Sequence, residues 1–103
     1  MDELEKVVYM NKLIQIYGEL LTNNQLEMMS DYYMANLSLN EIASERGVSK
    51  AAVEDAIKKA SEKLLKYEKT LQILDKKESI SKLLKEMNAE NLEDIKEEIE
   101  RRL

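Results

Sequence analysis

Cysteine, histidine and proline are absent from this chain of 103 residues, and glycine occurs twice. Without cysteine or histidine there is no thiolate or imidazole ligand for zinc, no disulfide, no thiol nucleophile and no imidazole base. With few breakers and an excess of Glu, Lys, Leu and Ala, the backbone is dominated by helix formers, and an all-α fold is expected. No apolar run approaches the ~20 residues that a membrane span needs. The opening MDELEKVVYM is acidic and too poor in apolar residues for a signal peptide, so a cytoplasmic protein is expected. An enzyme would need two carboxylates forced into a buried pocket, or a bound metal, to move charge at neutral pH. No such pair stands out, and no catalytic residue, metal or cofactor is expected.

The net charge of −5 is unusual for a nucleic-acid binder, because phosphate contacts need Lys and Arg. Its distribution is uneven. Residues 1–37 hold two basic and six acidic side chains, and 85–103 hold four and seven. Residues 38–66 hold six and five, and 67–84 four and three, so the middle is the least acidic part.

Apolar residues at steps of mostly three and four predict a first amphipathic helix through Leu4, Val7, Val8, Leu13, Ile16, Tyr17, Leu20 and Leu21, with Gly18 inside it. Thr22 with Gln25 offers a capping box for a second helix running to about Met34. Ser38 with Glu41 offers another, opening a short helix to about Arg46. Gly47 is placed to end it in the left-handed conformation, and Ser49 to cap the next. That fourth helix is expected to be long, over about 50–75. Its seam is Val53, Ile57, Ala60, Leu64, Tyr67, Leu71 and Leu74, three heptads spanning about 33 Å at 1.5 Å per residue. The seam packs either on the chain's own helices or on a second copy in a homodimer. Ser79 is expected to cap a fifth helix, Asn88–Asn91 to turn, and Asn91 to cap a last one bearing Leu92, Ile95, Ile99 and Leu103. The expected domains are therefore 1–78 and a C-terminal helical extension, 79–103, packed on it.

The five tyrosines fall at helical spacing beside Leu, Ile and Met, which places them in or beside the core rather than as stacking platforms for single strands. Met28, Met29 and Met34 are read as core filling. Seven carboxylates from Glu86 to Glu100 lack the spacing and glycine of a calcium loop. They form a solvated face with four-residue ion pairs Glu97–Arg101 and Glu98–Arg102, or a docking face for a basic partner.

Residues 38–59 have what a helix-turn-helix needs. Leu39 and Ile42 face the core, Ala43 lets the second helix cross close by, and Gly47 makes the turn. Val48 plugs it, and Val53 with Ile57 anchors the second helix. On these residues SLNEIASERGVSKAAVEDAIKKASEKLL resembles region 4 of bacterial sigma factors, whose second helix enters the major groove. From about Tyr9 to Leu74 the chain is similar to the YlxM family throughout. The distinctive parts are the block from Tyr17 to Thr22, the Tyr32-Tyr33 pair, Ser38-Leu39 and Glu41-Ile42-Ala43. These are small bacterial helix-turn-helix proteins encoded beside the signal recognition particle GTPase. The resemblance implies a regulatory role, duplex DNA as a partner, and a part in the signal recognition particle pathway.

If the second helix reads DNA, its candidate contact residues are Ser49, Lys50, Ala51, Glu54, Asp55 and Lys58. The family pattern has a basic residue, Gln, Tyr and Asn at positions 50, 51, 54 and 56, and three of these are Ala, Glu and Ala here. Alanine makes no bidentate bond to a base edge, a contact worth ~1–3 kcal/mol of discrimination. Glu54 and Asp55 meet phosphate with the wrong sign. Ser49, Lys50 and Lys58 suit phosphate, and Glu54 suits a cytosine amino group. Two functions stay open. One is a DNA-binding regulator acting as a dimer. The other is a protein-interaction accessory of the signal recognition particle GTPase or its RNA, with the helix-turn-helix as scaffold.

Overall fold

The computed structural model describes residues 1–87 and 92–103, with only the backbone of 92–95. Among these residues there are helices and no strand, as the composition implies. They form two compact units, Met1–Leu71 and Gln72–Leu103.

In the first unit α1 spans Glu3–Tyr17 and is capped by Asp2, whose carboxylate accepts from the Glu5 amide at 2.8 Å. Its buried face is Met10, Leu13, Ile14 and Tyr17; Leu4, Val7 and Val8, expected in the same stripe, are exposed. Gly18 lies outside the helix, in a 3₁₀ turn (Gly18–Leu20). A Cβ at this position would stand 2.9 Å from the Leu26 Cδ1 of the next helix, whose side chain would have to shift to admit it.

The Thr22–Gln25 capping box is complete, with both reciprocal bonds at 3.2 Å, and opens α2 (Asn23–Met29). A wider π turn, Ser30–Met34, follows and ends before Asn36 at φ +57°. In it Tyr32 and Tyr33 pack edge to face, 4.9 Å between centroids. Met28 and Met29 are buried as expected, whereas Met34 is exposed.

Ser38 and Glu41 close the second capping box at 3.1 Å and start α3 (Leu39–Arg46). Gly47 ends it at φ +65°, and α4 (Lys50–Leu71) begins three residues later. Val53, Ile57, Ala60 and Leu64 are buried in α4, which packs against α1, α2 and α3. The first four positions of the seam are thus buried inside the unit. The helix is shorter than expected. Gln72 adopts φ +53°, α4 stops at the exposed Leu71, and α5 (Ile73–Lys85) starts immediately. Ser79 therefore lies within α5 instead of capping it.

The second unit pairs α5 with α6 (Leu92–Arg102). The expected turn at Asn88–Asn91 lies outside the described residues, as do the side chains of Leu92 and Ile95. In α6, Glu98 binds both Arg101 and Arg102, the latter at 3.1 Å.

Candidate nucleic-acid interface

The helix-turn-helix is assembled by short-range bonds. The Val48 amide donates to the Ala43 carbonyl at 3.1 Å and closes the turn around Gly47. The Ser49 hydroxyl accepts from the Ala52 amide at 3.1 Å and caps α4, leaving its own proton to donate outward. Ile42 and Ala43 from α3 and Val53 and Ile57 from α4 are buried together as expected. Val48 is not a plug: it is 42% exposed, on the outside of the turn.

Arg46 braces the motif from behind. Its two terminal nitrogens donate to Glu27 of α2 at 2.9 Å and to Asp31 of the π turn at 2.8 Å. The hydrogen bond to Asp31, and secondly that to Glu27, holds this guanidinium more firmly protonated than usual. Sequence reading missed this role because Arg46 lies 15 and 19 residues from its partners. Committed to them, Arg46 is lost to any phosphate.

All six candidate contact residues, Ser49, Lys50, Ala51, Glu54, Asp55 and Lys58, are exposed. From Lys50 to Lys58 they occupy an arc of about 140° at 100° per residue, turned away from the buried stripe. Three of their four charges are paired, Lys50 with Glu54 inside the set and Asp55 with Lys59 outside it. Lys50 Nζ lies 3.9 Å from Glu54, and Lys59 Nζ lies 2.9 Å from Asp55. The bond to Asp55 raises the Lys59 ammonium above its ordinary pKa. Lys58 has no ion-pair partner among the described residues.

Beside this arc runs a groove of about 330 Å³ lined by Tyr32, Tyr33, Leu39, Ile57 and Leu65 and by the polar Lys6, Ser61 and Glu62. Glu54 and Lys58 stand on its edge. The tyrosine pair is thus core-edge packing on one side and groove wall on the other. Among the described residues no group of three His, Cys, Asp or Glu side chains could hold a metal ion. None of their helices is long and apolar enough to cross a membrane.

The sequence profile of the family described as "Putative helix-turn-helix protein, YlxM / p13 like" (UPF0122) matches residues 4–102. The chain belongs to this family. A UPF0122 protein of Shouchella clausii is 44% identical over 84 residues, which is 82% of this chain and 77% of the relative. One from Listeria welshimeri is 44% identical over 86 residues, covering 84% and 78%. One from Malacoplasma penetrans is 39% identical over 82 residues, covering 80% and 77%. The family description is that of a helix-turn-helix protein, not of an enzyme, and the match extends through the C-terminal unit that the resemblance at Tyr9–Leu74 left out.

Proposed function

We propose that this UPF0122 protein is a DNA-binding regulatory protein that seats the start of α4 on duplex DNA and holds the backbone more than it reads bases. The observation that carries this is the exposed arc Ser49–Lys58 on a helix whose opposite face is locked in the core. Ser49 offers a hydroxyl proton, and Lys58 and Lys50 offer ammonium groups to phosphate. Ala51 offers nothing to a base edge, and Glu54 holds Lys50 back. Such a surface binds with a steep salt dependence and little preference among sequences. The test is a salt titration of binding to random and genomic duplexes. Affinity weaker than ~100 μM at low salt would sink the reading, since non-specific binders do better even at physiological salt. Lys50→Ala with Lys58→Ala should weaken binding to all duplexes alike.

The second reading is a protein-interaction accessory of the signal recognition particle GTPase, with the helix-turn-helix as scaffold. The apolar part of the groove, Tyr32, Tyr33, Leu39, Ile57 and Leu65, favours it, because a surface of that kind suits an apolar side chain and not a phosphate. On this reading the GTPase, not DNA, is retained on the protein after nuclease treatment, and the two lysine substitutions leave that association unchanged.

A further inference from the structure

The charge of α4 is not confined to its first turns. From Lys58 to Lys69 its exposed charged residues are five lysines and one acid, Glu62. Glu68, the remaining acid, is buried and accepts from the Tyr17 hydroxyl at 2.7 Å. Within this segment Lys59, Lys63 and Lys66 share an arc of about 60° at 100° per residue, adjoining the Ser49–Lys58 arc on one flank. They line a cleft of about 440 Å³ together with Glu62 of the same helix and Gln25 of α2. Lys63 Nζ donates to the Gln25 Oε1 at 3.1 Å, the oxygen that also accepts the Thr22 amide in the capping box. Lys63 is therefore pre-positioned by a bond it shares with a helix cap.

We propose that Lys59, Lys63 and Lys66 form a second, sequence-independent contact surface for the phosphate backbone of double-stranded DNA, flanking the start of α4. This rests on the DNA-binding reading above and extends it. The three ammonium groups span seven residues, about 10 Å at 1.5 Å per residue. That is the axial rise of about three phosphates on one strand at 3.4 Å each. Asp55 regulates the surface, because it occupies Lys59 at 2.9 Å and must release it for phosphate to bind.

The experiment measures anisotropy of a random-sequence duplex with the full chain from 50 to 200 mM salt. Substituting Lys59→Gln, Lys63→Gln and Lys66→Gln together should flatten the log–log salt slope by about 2 to 3. Asp55→Asn, which removes no lysine, should tighten binding and steepen the slope by about 1. It gives an independent readout should the triple variant lose helicity. Unchanged slopes in these variants, while Lys50→Ala with Lys58→Ala still flattens it, would overturn the second surface and leave the DNA reading standing. A wild-type chain that binds no duplex at low salt would overturn both.

Discussion

Gly47 is where one residue decides whether α3 and α4 can meet. At φ +65° an L side chain pays a backbone penalty, and since a Cβ there meets nothing within 4 Å, that penalty is the whole effect. Gly47→Ala should destabilise by roughly 1–2 kcal/mol, and Gly47→Asn by less, as read from urea midpoints. Glu41 gives the residue scale its pH dependence. The Ser38 amide, which donates to the Glu41 carboxylate at 3.1 Å, and secondly the Ser38 hydroxyl hold that carboxyl below its ordinary 4.5. A lowered native pKa means that its contribution is complete above pH 4.5 and lost as the pH falls through the native value. Gln at position 41 keeps an acceptor for the Ser38 amide but cannot titrate. The stability gap between wild type and Glu41→Gln should therefore be constant near neutrality and close on acidification, in urea titrations from pH 6 to 3. A gap that widens toward acid would contradict the assignment.

Between elements, two polar ties hold the unit together. The Tyr17 hydroxyl joins the end of α1 to Glu68 near the end of α4, 51 residues away. Tyr17→Phe leaves a buried carboxylate with one donor fewer and should cost ~1–3 kcal/mol, whereas Glu68→Gln keeps an acceptor and should cost less. Arg46 ties α3 to α2 and the π turn. A double-mutant cycle should give a coupling of about 1 kcal/mol with the half-buried Asp31, and less with Glu27, which is 63% exposed. These ties show why the sequence was legible only in part. The capping boxes, Gly47 and the buried positions of α4 were readable because each signal lies within a few residues, where helix geometry alone fixes who meets whom. The long-range partners of Tyr17 and Arg46 leave no local trace. Nor does the break at Gln72: no glycine, asparagine or proline marks it, and the apolar spacing from Leu64 through Leu74 runs on undisturbed. The six candidate contact positions could be named from spacing, but their ion pairs, and the lysine flank beyond them, emerge only when the helix is wound. Counting charge over residues 38–66 as nearly neutral averages a mixed stretch at the start of α4 with the lysine-rich flank that follows it.

At the scale of the whole molecule, the buried core and the proposed interface fall in the same unit. Of the buried apolar residues, Leu74 alone lies beyond Leu71 among the described residues. The arc Ser49–Lys58, the groove and the lysine flank all lie within Met1–Leu71. A chain ended after Leu71 should thus unfold in urea as one cooperative transition, with a slope scaled to its smaller buried surface. It keeps nine basic and twelve acidic side chains, and every lysine invoked above. The piece from Gln72 onward faces a different balance. Its helices are 13 and 11 residues long, near or below the ~12–15 at which isolated helices become even marginal in water. By itself it should show little helix by circular dichroism. A chain ended after Leu71 that melts without a sigmoidal transition would mean that its core is incomplete without the second unit. A sigmoidal melt together with unaltered duplex binding would place the function of α5 and α6 outside both the fold of Met1–Leu71 and the proposed DNA contact. That would turn attention to the carboxylates of α6, where Glu98 holds two arginines of its own helix.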